Sequence, residues 1–351
     1  MSVDGITRDE LQLAARNHGM PLEVLRWPVT PVGMHYLLIH YDIPLVGDDW
    51  RLAVDGSVGT QLTLTLDELR ALPAHEVVAT MECAGNGRAK YTPRPLSQPW
   101  LDEAIGTGRW RGARLRDVLE RVAPGGDAVE VLFTGLDRGI EGDEEQEFQR
   151  SLPLDLAHDE DVILAYELNG APLPPQHGSP LRLLVPGWYG MTNVKWLARI
   201  TVVDEPFLGY QQARGYHFRA DEDDPGFPLQ QIQPRALMVP PGIPEFMTRA
   251  RTVDAGRVTI EGRAWSGHAP IAAVDVSADG GSSWEHAQLD AEELGRWAWR
   301  GWSYDWDATP GEHVLACRAR DAAGNEQPLE PTWNVGGYAN NAVQRVPVSV
   351  R

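Results

Sequence analysis

At 351 residues the chain is long enough for two domains of ordinary size, and its 42% hydrophobic and 23% charged residues are those of a soluble globular protein. A formal net charge of −19 argues against a nucleic-acid partner, which would need a basic surface, and would repel anionic substrates unless local cations intervene. The two cysteines, Cys83 and Cys317, cannot build a disulfide framework; without a CxxC pair, a Cys/His cluster or a CxxCH motif, zinc, iron–sulfur and attached haem are not expected. The N-terminus shows no basic region leading into an apolar run, and no stretch of about 18 apolar residues occurs. A cytoplasmic protein without membrane contact is expected, although a leader already removed would escape this reading.

In chain order, Thr7 and Glu10 form a capping box that starts a short helix, with Leu11, Ala14 and Ala15 on its inner side and Gly19 and Pro21 ending it. Met34 to Pro44 is an apolar run interrupted by His40, and its plain reading is a buried strand with one satisfied histidine. Trp50 to Leu66 reads as a β-hairpin turning at Asp55-Gly56, followed by a helix from Thr65. Glu76 to Met81 is a β run, Leu115 to Val122 a helix and Asp127 to Gly135 a strand. The carboxylates of Glu141, Asp143, Glu144, Glu145 and Glu147 then read as a solvated loop. Stretches rich in proline, glycine and charge at 221–228 and 240–244 mark a linker, placing domains at 1–235 and 236–351. Short β runs follow at Val258–Ile260, Ala273–Ser277, Trp284–Leu289, Trp297–Trp302, Val314–Ala319 and Val346–Val350, a β-sandwich of immunoglobulin type. Cys317 falls in one of these runs as a structural residue.

The chemistry gathers at Glu82-Cys83-Ala84-Gly85-Asn86-Gly87-Arg88. Cys83 stands where a strand ends and a turn begins, and two nearby glycines let the backbone approach a bound group. A thiolate is a soft ligand for a redox metal, and Arg88 would favour it. On these residues alone, a small buried hydrophobe is the commoner role for such a cysteine. Further on, Arg182 lies inside the apolar run Leu181–Val185 and Lys195 follows Asn193-Val194. Cations there are costly to bury unpaired, which points to an anionic ligand.

Cys83-Ala-Gly-Asn-Gly-Arg88 after a hydrophobic strand resembles the cysteine motif of the sulfite oxidase family of molybdenum enzymes. Further matches follow in the family's order: Gly135-Leu136-Asp137, Ser151-Leu152-Pro153-Leu154, His177-Gly178-Ser179-Pro180-Leu181-Arg182 and Val194-Lys195-Trp196. The resemblance covers nearly the whole chain. It implies an α+β fold, a mixed α/β molybdopterin-binding domain followed by an immunoglobulin-like sandwich that dimerises. It implies Cys83 as the metal ligand of a molybdenum–molybdopterin cofactor, bordered by Tyr36, His40, Asp137, His177, Arg182, Asn193 and Lys195. Arg88 and Arg150 are then the candidate catalytic cations, and Leu38, Trp100 and Phe148 line the substrate pocket. No haem domain is seen, so a separate electron carrier is implied.

The departures from the family concern that pocket. Leu38 stands where the family has an arginine, Phe148 where it has a tyrosine, and Ala269 near a second arginine position. A phenyl ring cannot donate a hydrogen bond. Oxygen-atom transfer with a small oxyanion such as sulfite is expected, or with a less charged S-oxide or N-oxide. A non-catalytic binding protein carried by the sandwich is the third reading.

Overall fold

The computed structural model describes residues 5–351; residues 1–4, read above for a leader, lie outside them. The first half holds two sheets. One is built from β1 (Leu52–Gly56), β2 (Leu62–Leu64), β5 (Glu130–Glu141), β6 (Glu144–Pro153) and β10 (Leu197–Val203), in the order β2-β1-β10-β5-β6, with β1 and β10 parallel. The other runs β3-β4-β7-β8, from β3 (Ala74–Glu82), β4 (Ile105–Arg114), β7 (Ile163–Leu168) and β8 (Ala171–Pro172), with β9 (Arg182–Leu184) on β7.

Helix α1 (Arg8–Arg16) begins at the expected capping box, where the Glu10 carboxylate accepts from the Thr7 N–H at 2.8 Å. Its inward residue is different from the expected one: Leu11 is exposed, and buried Glu10 pairs with Arg94. Helix α2 (Leu66–Arg70) repeats the box with Thr65 and Glu68. Helix α3 (Leu115–Val122) buries Leu115, Val118, Leu119 and Val122, the i, i+3, i+4, i+7 stripe of an amphipathic helix. These pack with Leu52, Val54, Phe133, Leu152, Ile200 and Val202 into the main core, each worth roughly 1.5–3 kcal/mol on burial.

Three local expectations fail for physical reasons. Met34–Pro44 is not a strand. Leu37 makes only an isolated backbone bridge with His18, and the following groups are taken by side chains: the Asn17 amide oxygen accepts from Ile39 N–H at 2.7 Å, Arg16 donates to the Ile39 and Tyr41 carbonyls, and Lys195 donates to the Leu38 carbonyl at 2.8 Å. The acidic stretch from Glu141 is no loop either. It continues β5 into β6 through a two-residue turn, Gly142-Asp143, whose φ values of 64° and 63° suit a tight hairpin. The 221–228 stretch closes a small hairpin in which Phe218 pairs with Phe227, and Ile243–Pro244 forms an edge strand.

The second half is a sandwich of two sheets. One contains strands 235–238, 256–265, 288–289 and 300–308; the other contains 243–244, 251–253, 271–277, 285–286, 311–321 and 344–350. The expected strand Trp284–Leu289 is split between them: His286 pairs with Asp275 in one sheet and Gln288 with Ser303 in the other, so the chain changes layer there. Cys317 is fully buried in the sandwich core, as expected. The halves share buried contacts at the end of β3. Thr80 N–H donates to the Trp297 carbonyl at 2.9 Å, and Trp299 N–H to the Thr80 hydroxyl at 2.7 Å.

Candidate active site

Strand β3 delivers Cys83 to a turn pinned on all sides. Cys83 N–H donates to the Ala104 carbonyl at 2.9 Å. The Asn86 side chain bridges the turn to its neighbours, donating to Glu82 Oε1 at 2.9 Å and accepting from Ala104 N–H at 3.1 Å. At Gly85 a Cβ would sit 2.5 Å from the Arg88 guanidinium, so a side chain there would have to push that guanidinium out of its place. The Gly85 N–H lies 3.4 Å from the Cys83 sulfur. Burial pushes the Cys83 thiol up, while Arg88, the Gly85 N–H and the Trp100 indole pull it down. A metal would therefore displace a proton on binding. Among the described residues no group of three or more His, Cys, Asp or Glu could hold a metal ion. A metal at Cys83 has to bring its other ligands with it.

Cys83 lines a cavity in the first half of the chain. Of the residues expected at the site, Tyr36, Leu38, His40, Asp137, Phe148, His177, Arg182, Asn193 and Lys195 line it with Cys83. Three do not. Arg88 is turned away, donating to the Gly336 carbonyl at 2.9 Å and the Gln98 carbonyl at 3.2 Å, with its guanidinium 5.0 Å from the Tyr338 ring. Arg150 is buried behind Tyr216 and donates to the Gln211 carbonyl. Trp100 packs behind the cysteine, its indole N–H beside the sulfur and without another acceptor. Ala269 does not reach the lining.

The lining also contains residues that sequence reasoning missed, among them His35, Met81, Met191 and Tyr216. His35 had a signal: Gly106, inside β4, leaves room that a Cβ would fill 2.5 Å from the His35 ring. Tyr216 had none, since it follows a short helix (Tyr210–Ala213) in an unremarkable stretch.

Among the described residues the lining cations Arg182 and Lys195 form no salt bridge, although Lys195 feels the Asp137 carboxylate. Arg182 donates to the His177 and Asn193 carbonyls, both at 3.1 Å, and stacks 4.8 Å from Trp110; burial lowers its pKa to about 10. Lys195 donates to the Leu38 carbonyl, and burial holds its ammonium well below the usual lysine range. Burial likewise raises the Asp137 carboxyl, with Lys195 opposing. It depresses the imidazoles of His35 to about 4, His40 to about 3 and His177 to about 2, so all three are neutral at physiological pH. Among the described residues His35 Nε2, Asp137 Oδ1 and Arg182 Nε find no hydrogen-bond partner. Unpaired buried polar atoms are costly, and these three, one of them on Arg182 itself, belong to residues that line one cavity with Lys195, a cradle that suits a polar, anionic group rich in heteroatoms. A pyranopterin phosphate with a sulfur-ligated metal fits that donor set.

Residues 40–211 match the family described as oxidoreductase molybdopterin binding domain, and residues 231–351 the Mo-co oxidoreductase dimerisation domain. Sulfite oxidase of Gallus gallus is 37% identical over 341 residues, covering 90% of this chain and 72% of the relative. The chain belongs to the sulfite oxidase family of molybdopterin oxidoreductases.

Within the family, mitochondrial sulfite oxidase of Homo sapiens is 38% identical over 345 residues, covering 92% of this chain. NADH nitrate reductase of Hordeum vulgare is 33% identical over 357 residues, covering 92% of this chain and 38% of that protein. This chain spans 62% of the length of the human relative. The sulfane dehydrogenase SoxCD of Paracoccus pantotrophus superposes with a TM-score of 0.82 at 25% identity, over all of this chain and 90% of that one.

Proposed function

We propose that the protein is a molybdenum–molybdopterin oxidoreductase acting on a small sulfur oxyanion, sulfite foremost. One observation carries this reading: Cys83 lines one cavity with Arg182 and Lys195, neither of them in a salt bridge among the described residues, and no His, Cys, Asp or Glu cluster of the described residues could hold a bare metal. A bound molybdenum–pyranopterin group supplies a redox metal that exchanges an oxygen atom with substrate. The protein's share is positional. Cys83 supplies the protein sulfur, and Arg182 and Lys195 supply charge to the phosphate end. His35 and Asp137 offer polar atoms to the heterocycle, Asn193 shapes the wall with its side chain held by Val185 and Tyr189, and the buried walls exclude water.

A second reading is favoured by the lining itself. Leu38 and Phe148 present hydrocarbon, and both lining cations are engaged with the carbonyls of the cradle. A neutral S-oxide or N-oxide, or a neutral sulfane sulfur of the kind named for SoxCD, would meet less penalty there than a dianion. A separate electron carrier, a homodimer joined through residues 231–351 and a cytoplasmic location complete the proposal. The dimerisation-domain match supports the second of these, while the human relative bears the name mitochondrial. Among the described residues no helix is long and apolar enough to cross a membrane.

The test is molybdenum and pterin content of protein purified from a cofactor-producing host. It is followed by sulfite-dependent dye reduction and by reduction of a small sulfoxide with a reduced dye. Stoichiometric molybdenum with sulfite turnover is expected. Loaded protein that reduces the sulfoxide and ignores sulfite selects the second reading, and protein without molybdenum overturns both.

A further inference from the structure

We infer that Tyr216 is a substrate-binding residue of this cavity. Its phenol donates the hydrogen bond that holds an oxygen on the substrate's sulfur, and His40 keeps the hydroxyl aimed there. The inference rests on reading the cavity as an oxygen-transfer site. Tyr216 lies between the two stretches matched to the family's domains, so neither match assigns it.

The backbone is the first observation. Tyr216 is held at φ 55°, in the left-handed region that a bulky aromatic rarely enters and that costs on the order of 1–3 kcal/mol. Its surroundings enforce this. The Tyr216 carbonyl accepts from Leu229 N–H at 2.9 Å. Its ring lies 5.3 Å from that of Tyr338, and the Arg150 guanidinium stands 5.9 Å from its centre. The conformation brings the ring into the cavity lining beside Cys83, Leu38, His40 and Phe148.

The hydroxyl is the second observation. Tyr216 Oη is hydrogen-bonded to His40 Nε2, and His40 is wedged 4.8 Å from the Phe148 ring. His40 is neutral and carries a single N–H. This role requires the tautomer with that hydrogen on Nε2, in which His40 donates to the phenol oxygen and the phenol's own proton is free to point at a bound acceptor. Burial raises the Tyr216 hydroxyl well above the usual range, so it remains a donor at every working pH. Leu38 and Phe148 offer nothing polar. Arg182 donates to the cradle carbonyls of His177 and Asn193, and Lys195 to that of Leu38. A neutral donor against hydrocarbon walls suits an S–O oxygen of low charge, a sulfoxide or a singly charged sulfur oxyanion, over a dianion.

The experiment compares wild type, Tyr216→Phe and the double variant Tyr216→Phe/Phe148→Tyr, using sulfite and a small sulfoxide as probes. Tyr216→Phe keeps the ring stack and is expected to retain molybdenum, pterin and melting temperature while kcat/KM falls about 100-fold, the usual cost of one lost donor. The double variant, which returns a phenol from the other side of His40, is expected to recover part of that loss. Turnover of Tyr216→Phe within about twofold of wild type, or loss of molybdenum or stability in that variant, overturns the inference. Wild type without molybdenum removes the reading of the cavity and this inference with it. If loaded wild type is silent with both probes, titration of the cofactor absorption with sulfite decides: weaker binding by Tyr216→Phe supports the inference and equal binding overturns it.

Discussion

Glu82 Oε1 lies 2.6 Å from Arg235 Nη1, so the residue immediately before Cys83 is ion-paired to the first residue of the sandwich strand 235–238. Both side chains are almost wholly buried. The Trp265 indole donates to the other Glu82 oxygen at 2.8 Å, and Arg235 also donates to the Asn340 carbonyl. Asn340 Nδ2 donates to the Gly87 carbonyl and Ala339 N–H to the Ala84 carbonyl, both at 2.8 Å, so the C-terminal half also reaches the backbone of the cysteine turn.

Breaking this pair is costly because it leaves a buried charge uncompensated. Arg235→Met is expected to destabilise the protein by about 3–5 kcal/mol, whereas Glu82→Gln/Arg235→Met together lose much less. Urea denaturation of the cofactor-free proteins measures this. A single variant no less stable than the double one would refute it.

Arg182 should affect loading more than stability. It is a buried cation that donates to the His177 and Asn193 carbonyls, so Arg182→Met removes a desolvated charge but leaves two acceptors unpaired; the cofactor-free protein is expected to lose no more than about 1–3 kcal/mol, while pterin content collapses. Melting scans with fluorescence assay of released pterin check both halves. Normal pterin content would remove Arg182 from the cradle.

Cys83→Ser tests the thiolate. The sulfur is the protein's contribution to the metal, and a serine hydroxyl is a hard, weakly acidic replacement. Pterin retention with loss of the sulfur-to-metal absorption and of turnover is expected, read by absorption spectroscopy and metal analysis.

Leu38→Arg tests the charge of the pocket. A guanidinium entering the lining should tighten binding of sulfite by at least about tenfold through a charge-assisted hydrogen bond, with little gain for a neutral sulfoxide. Equal changes for both substrates would show that position 38 does not face the substrate.

Acid should destabilise the cofactor-free protein. His35, His40 and His177 have folded pKa values of about 4, about 3 and about 2, against an unfolded value near 6.5, so below that pH the unfolded chain binds more protons. The histidine contribution is intact above about pH 7 and is lost as pH drops through 6.5, by up to about 1.4 kcal/mol per unit for each histidine, while Lys195 adds a slope of the same sign above pH 7. Asp137 acts in the opposite sense: its raised carboxyl costs stability as pH rises from the unfolded carboxylate range, and one carboxyl is outweighed by three imidazoles. Denaturation midpoints at about pH 7.5 and about pH 5 decide the sign, and His35→Gln should flatten the slope.

Residue type and local spacing were enough for the capping boxes of Thr7 and Thr65, the amphipathic stripe of Leu115–Val122, the strand leading to Cys83 and the cation positions Arg182 and Lys195. Each depends on near neighbours in the chain or on a cost that any buried charge must meet. Tertiary packing decided the rest. Whether the 34–44 run became a strand depended on Asn17, Arg16 and Lys195 capturing its backbone groups from outside the segment. Whether Arg88 and Arg150 faced the cavity depended on the Gly336 and Gln211 carbonyls that hold them, distant in sequence and without local signature. Tyr216 entered the site only because Arg150, Leu229 and Tyr338 enforce a backbone conformation its own sequence disfavours, which is a property of the packed molecule.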